Sequence, residues 1–397
     1  MISYKYKLYR TRQTRHLDKM LGQCTFVWNH CLALQKRYYR IFGQYIGVGR
    51  MKAHFAQHYK MSMLHSQSVQ EVIERLDDAY QRFFKHLSMR PPKFRKSTEF
   101  SSLVFKQGGY SLNGNELTIN KIGKRYRFSF SRQYEGKIRT LRITRNHIGE
   151  FFIVMCLDIQ PQSYGKTHTG ASVGVDFGLK TYITMSDETK VFSPLFLKES
   201  LSELHRRSRN LSKCQKGSNN RRRKKIELAR LYADITNKRN DWQWKLAHDL
   251  CRRYDTICIE DLNLTGMCRR WGRKMSDLAH SEFVRKLGYV SSKYGVIVHK
   301  IDRFYPSSRL CNCGYKNNEL TLKDRLWTCP ECGSVHDRDI LAASNILRRG
   351  IYELGSDGKS KMHMRIGSHV SNSRISSLQG REYVKCVVLD SEPVADE

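Results

Sequence analysis

Three carboxylates stand where a folded chain can bring acids together. Asp176 ends the apolar run SVGV ahead of a glycine turn, and Glu260 ends the apolar run TICI. Each is expected at the end of a buried strand, where a side chain emerges from the core. Asp339 follows a polar loop and leads into the periodic run ILAASNILRR, which places it in a first helical turn, where negative charge is favoured. Three carboxylates converging from two strand ends and one helix can hold two divalent cations about 4 Å apart, one activating water and one stabilising a leaving oxygen. Taken singly, each has a plainer reading: an Asp after a strand is ordinarily a turn residue, and Asp339 could be a helix cap. The combination, in this order, favours the ligand reading. Asp261 points to the other face of its strand. Asp337 is passed over because Asp339 leads directly into the apolar helix.

Cysteine usage is uneven. Of the 12 cysteines, Cys24, Cys31, Cys156, Cys214, Cys251, Cys258, Cys268 and Cys386 are scattered and read as small buried side chains. Cys311, Cys313, Cys329 and Cys332 are clustered in CNCG and CPECG, which offer four thiolates to one tetrahedral Zn2+. CPECG is the regular half. In the other, one residue separates the cysteines instead of two, which would strain the turn. His336 reads as a solvated loop histidine ahead of a substitute ligand.

With 71 Lys and Arg against 37 Asp and Glu, the formal net charge is +34, which points to a polyanionic partner and to nucleic acid in particular. The run Arg221, Arg222, Arg223, Lys224 and Lys225 is read as phosphate contact, against the simpler reading of a solvated helix end. No stretch reaches the roughly 20 apolar residues of a membrane span. The start MISYKYKLYRTRQ lacks a signal peptide's apolar core, so a cytoplasmic, bacterial setting is expected, with nucleoid association when DNA is bound.

These groups must be positioned by several elements. ISYKYKLY alternates as a strand. Two helical stripes follow, Met20, Cys24, Val27, Cys31 and Leu34, then Val72, Leu76, Ala79, Tyr80, Phe83 and Leu87, closed by RPPKFRK. SLNGNELTI, YRFSFS, IRTLRITRN and EFFIVMCLDI read as strands of a small antiparallel barrel, with the amino-terminal segment as its first strand. VGVDFGLKTYITM reads as two strands. Two helices flank KGSNN, the second carrying Ile226, Leu228, Leu231, Ile235, Trp242, Leu246 and Leu250 on its apolar face. TICIEDLNL and VIVHKID are further strands, and DRDILAASNILRR is the last helix.

In GVDFGLK, KGSNNRRRKK, ICIEDLNLTGM, YPSSRLCNCGYKN and WTCPECGSVHDRD, the chain resembles the TnpB family of transposon-encoded RNA-guided DNA endonucleases, relatives of compact type V CRISPR effectors. The matching stretches run over about residues 170 to 350. The resemblance implies a multidomain α/β and β architecture. Residues 1–10 and 97–165 would form a wedge-like β-barrel, and 11–96 a helical recognition insert. An RNase H-like (RuvC) nuclease core would occupy 170–305 and 338–352, with a zinc ribbon at 306–337 and a disordered tail at 353–397.

It further implies Asp176, Glu260 and Asp339 as catalytic ligands of two Mg2+ (or Mn2+) ions, one structural Zn2+, a guide RNA, and double-stranded target DNA opened beside a short motif. Tyr4, Lys5, Arg10, Tyr38, Arg40, Lys52 and Lys93 become candidate nucleic-acid contacts, although Tyr38 could simply pack. The family's usual CxxC is here Cys311 and Cys313, and its usual DRDxNAA is here DRDILAA, with Leu341 in place of Asn. The second change raises the alternative of a weakened or retired RNA-guided DNA-binding regulator. A compact CRISPR effector, a guide-free transposase or resolvase, and a zinc-ribbon binding protein are further alternatives, and oligomeric state is open.

Overall fold

A computed structural model describes residues 2–356, apart from 98, 107, 160–163, 166, 167, 263, 322 and 323. Two compact units divide between residues 161 and 162. Of the tail expected at 353–397, residues 353–356 are instead the end of the last helix, and the remainder, with Cys386, lies outside the described residues.

In the first unit the alternating amino-terminal segment forms β1 (Ile2–Lys7). The two apolar stripes form α1 (Thr14–Phe42) and α3 (Ser66–Phe84), with α2 (Val48–His58) between them. Six strands follow: β2 (Ser102–Phe105), β3 (Tyr110–Asn113), β4 (Glu116–Ile119), β5 (Lys124–Arg127), β6 (Ile138–Arg145) and β7 (Phe151–Leu157). β1 pairs antiparallel with β7 in a sheet ordered β1-β7-β6-β2, so the helices are inserted after the sheet's first strand. β3, β4 and β5 form a second small sheet, and a bridge from Leu8 to Phe128 ties the two together. Met20, Cys24, Val27, Cys31, Val72 and Leu76 are buried as their spacing predicts.

Helix α3 stops short of RPPKFRK. His86 takes a left-handed conformation (φ 55°), and the Leu87 and Ser88 amides turn back to the Arg82 carbonyl. Leu87, read as core, is consequently 63% exposed.

The second unit begins with β8 (Ser172–Phe177), β9 (Ile183–Met185) and β10 (Lys190–Val191). Helices α4 (Phe196–Glu199), α5 (Leu201–Ser212) and α6 (Asn219–Arg253) lead to β11 (Thr256–Glu260). Next come α7 (Leu264–Leu278), α8 (His280–Tyr294), β12 (Ile297–Ile301), the short β13 (Leu326–Thr328) and β14 (Val335–Asp337), and α9 (Arg338–Ser356). The main sheet is ordered β10-β9-β8-β11-β12, with β8, β11 and β12 parallel and β9 and β10 antiparallel beside them. On α6 it is Trp244, not Trp242, that is fully buried, together with Ile235, Leu246 and Leu250, while Ile226, Leu228 and Leu231 are only partly covered. Among the scattered cysteines Cys214 is half-buried and Cys268 exposed; the other described ones are buried.

Helix α9 lies directly on this sheet. A Cβ built at Gly174 in β8 would stand 2.0 Å from the Ala343 carbonyl oxygen, and one at Gly350 would stand 2.3 Å from Cys258 Sγ in β11. The helix backbone therefore touches β8 with no side chain between them, and only the small Cys258 side chain separates it from β11. Replacing Gly174 by Ala forces the layers apart and is expected to cost about 3 kcal/mol or more. Gly22, inside α1 with nothing within 4 Å of its added Cβ, is the contrast. Gly22→Ala is expected to stabilise by about 0.5–1 kcal/mol. Thermal unfolding of the two variants checks both signs.

Candidate active site and metal centre

In the parallel pairing of β8 with β11, Cys258 stands beside Gly174 and Ile259 beside Val175, so Glu260 falls beside Asp176. Side chains alternate between faces along a strand. Gly174 and Cys258 both face α9, and Asp176 and Glu260, two residues further on, share that face. Asp339 lies in the first turn of α9, four residues before the Ala343 that covers Gly174. The helix that covers the sheet thus begins where the two strands end, and Glu260 and Asp339 lie near enough to Asp176 for it to feel their charge.

Their electrostatics report the closeness. Asp176 is pushed up to about 7 by burial first, then by the negative charges of Glu260 and Asp339, with Arg338 and Arg325 opposing. Glu260 is likewise raised to about 7, by burial and then by Asp261. Among the described residues, neither Asp176 nor Glu260 has an ion-pair partner. Asp339 does: one Arg325 nitrogen donates to both its oxygens at 2.7 Å. Arg325 precedes β13, and no sequence pattern singled it out.

Asp337 is occupied differently. It accepts from the Asp339 and Ile340 amides at 2.9 and 3.3 Å, capping α9, and pairs with Lys190 at 2.8 Å. The residue before α9 is therefore the end of β14 rather than a polar loop. Asp261 is drawn to Arg303 and Lys300, away from the cluster.

The four clustered cysteines also come together, with all sulfurs within 4.8 Å of one another. Cys311 and Cys332 are 3.5 Å apart, and Cys313 and Cys329 3.6 Å. A tetrahedral ZnS4 centre with bonds near 2.3 Å sets sulfurs roughly 3.8 Å apart, so the donor set fits zinc. The short Cys311–Cys313 spacing is accommodated by Gly314, at φ 101°, whose amide returns to the Cys311 carbonyl. The Ser334 hydroxyl pulls Cys332 down to about 6, toward the thiolate a metal requires. His336 is buried rather than solvated. It packs on Trp327 across β13 and β14, and its Nε2 lies 3.1 Å from Cys311 Sγ, where it can donate to a bound thiolate.

Leu341, the unusual residue of DRDILAA, packs with Cys311, Leu320, Trp327 and Cys329 in the core of this small unit. It belongs to the cysteine cluster's support, not to the acid cluster.

The basic candidates separate. Arg221 closes the α5–α6 hairpin by donating to the Leu211 and Cys214 carbonyls, and Lys224 pairs with Glu227 at 2.9 Å. Arg222, Arg223 and Lys225 are exposed. In the first unit Lys52 is tied to Glu74 at 2.5 Å, Lys5 lies over the Phe152 ring, and Tyr38 packs on Phe42. Arg10, Arg40 and Lys93 are exposed. A further exposed group was visible as RRWGRK but not singled out: Arg269, Arg270, Trp271, Arg273 and Lys274 on α7.

Residues 155–270 match a family profile described as "Probable transposase", and residues 280–346 match "Cas12f1-like, TNB domain". Residues 1–43 match a "Helix-turn-helix domain", although here they form one strand and one long helix. A cryo-EM structure of a Cas12f1–sgRNA–target DNA complex contains a chain that aligns with TM-score 0.55 at 14% identity, covering 85% of this chain and 83% of that one. The chain accordingly shares the overall fold of that compact effector.

A Streptomyces pristinaespiralis protein named "Putative RNA-guided DNA endonuclease" is 29% identical over 396 residues, 96% of this chain and 95% of its own length. "TnpB-like protein L79" of Acanthamoeba polyphaga mimivirus is 28% identical over 196 residues, 45% of this chain and 37% of its own. The chain is thus similar over most of its length to a protein of that first name, and over 196 residues to a TnpB-like protein. Among the described residues, no helix is long and apolar enough to cross a membrane.

The acid cluster carries a stability cost with a definite pH signature. In the unfolded chain Asp176 titrates near 4; in the folded chain it titrates near 7. A raised acid contributes stability that is complete below its unfolded pKa and lost as pH rises through its folded pKa. In EDTA, Asp176→Asn is therefore expected to raise Tm by on the order of 3 °C at pH 8, with the gain shrinking toward pH 4. Differential scanning fluorimetry across that range reads it; a lower Tm at pH 8 would count against it.

Proposed function

We propose that the chain is a transposon-associated RNA-guided DNA endonuclease that hydrolyses phosphodiester bonds at Asp176, Glu260 and Asp339. The observation that carries the reading is the nearness of these three acids at one end of the sheet, two of them pushed up to about 7 with no ion-pair partner among the described residues. The order of the five strands and the helix over them support an RNase H-like, RuvC-type core in residues 170–305 and 338–352. The cysteines support a zinc ribbon at 306–337. The two linked sheets at 1–10 and 97–165 support a wedge-like barrel, with 11–96 as recognition insert. A guide RNA would read the target by base pairing, while the protein reads duplex shape and a short adjacent motif.

Two divalent cations, Mg2+ or Mn2+, would supply water activation and charge neutralisation at the leaving oxygen. Asp176 and Glu260 offer carboxylate oxygens side by side from rigid strand ends. Asp339 offers a third from α9. The Asp337 cap fixes that helix start, and Arg325 holds the Asp339 carboxylate in one orientation. Exposed Arg222, Arg223 and Lys225 offer charge to a phosphate backbone.

Purifying the protein from its host and sequencing the associated RNA should yield one discrete species ending in a variable guide. That complex should cut matched DNA with Mg2+, and Asp176→Ala and Glu260→Ala should each lower the rate by at least about 100-fold. A complex that binds matched DNA with Mg2+ but never cuts it would overturn the reading in favour of a retired regulator.

A further inference from the structure

Helix α7 begins four residues after Glu260 and is broken at Trp271, whose φ of −128° and ψ of 35° are not helical. The break leaves Trp271 38% exposed and flanked by Arg269, Arg270, Arg273 and Lys274, all exposed. Among the described residues, none of these four cations forms an ion pair. Two of the four, Arg273 and Lys274, line a cavity of about 270 Å³. Leu195, Leu197 and Leu201 supply its apolar lining, and Lys198, Arg273 and Lys274 its positive charge.

The cavity wall is held in place. Asp277 is buried, and its two oxygens accept from the Leu197 and Lys198 amides at 3.0 and 3.1 Å. The one acid in the lining is thus committed to backbone rather than to the cations. Leu195 is kept left-handed, at φ 53° and ψ 48°, a conformation that leucine rarely adopts and that persists where its surroundings enforce it.

An apolar slot rimmed by cations, on a helix that exposes an indole two residues before the lining Arg273, fits a flat group joined to phosphate. Paired bases cannot enter such a slot, and aromatic platforms among cations are the usual means of holding a single strand. We propose that this cavity binds an unpaired nucleotide of single-stranded DNA. The base enters between the leucines, the phosphates lie on Lys198, Arg273 and Lys274, and a neighbouring base stacks on Trp271. Because α7 follows Glu260 directly, a strand held here would be led toward the acid cluster. The inference rests on the proposed DNA-cleaving function for the identity of the strand.

The test is fluorescence anisotropy of the full chain with short labelled oligo(dT) and oligo(rU), with single-turnover cleavage of matched DNA in parallel. Trp271→Ala should weaken oligo(dT) binding by about tenfold, and Trp271→Phe should restore most of it. Arg273→Ala with Lys274→Ala should flatten the log–log salt dependence by about 0.7 for each phosphate no longer neutralised. Unchanged Tm in each variant separates weakened binding from impaired folding. If the chain cuts DNA while all variants bind and cut as the parent does, the cavity proposal falls and the nuclease reading stands. If the chain cuts nothing but Trp271→Ala and the paired Arg273→Ala and Lys274→Ala change both still weaken oligo(dT) binding, the cavity proposal stands and the nuclease reading falls. Binding of oligo(rU) alone would overturn the assignment to DNA.

Discussion

Helix α9 rests on β8 with no side chain between them at Gly174, and the geometry of the acid cluster follows from that contact. The helix packs so closely that its Ala343 carbonyl occupies the space a side chain would need. That closeness fixes both where α9 lies and how far along the sheet it begins. Asp339, one turn before Ala343, is thereby delivered to the strand ends that carry Asp176 and Glu260. A wider helix–sheet spacing would keep all three residues and lose their convergence.

The same helix couples the acids to the cysteine centre. Leu341 inserts into the small core around Cys311 and Cys329, and Asn345 donates to the Ser307 and Leu310 carbonyls at 2.7 Å each. Arg325 reaches back from the start of β13 to Asp339. Metal binding by the four thiolates would thus stabilise more than a surface loop: it would fix the neighbours of the third carboxylate. This placement also explains how DRDILAA can depart from the family's usual Asn. An apolar residue suits a position that faces Trp327 and the cysteines.

Much of this was legible because β8 and β11 are parallel strands covered on both faces, and such strands read as unbroken apolar runs ending at a polar residue. Asp176 and Glu260 stood out for that reason. The approach to Asp339 did not, since β13 and β14 span three residues each and offer no periodicity. Pairings set by the tertiary fold were equally hidden. Arg221, Lys224 and Lys52 look like free cations in sequence, yet each is committed to a carbonyl or carboxylate distant along the fold or one helical turn away. Helices α7 and α8 both went unread: the break at Trp271 interrupts the apolar stripe of α7, while α8 repeats Phe283, Leu287 and Val290 at helical spacing, a signal that could have found it.

If Asp176, Glu260 and Asp339 form one divalent-cation site, two ions bound there must lie close enough to sense each other. Electron paramagnetic resonance of the full chain titrated with Mn2+ detects this, because neighbouring Mn2+ ions couple magnetically. Two coupled ions per chain are expected in the parent, with the coupled signal abolished in Glu260→Gln. Isolated ions only, or a coupled signal unchanged by Glu260→Gln, would rule out a shared site.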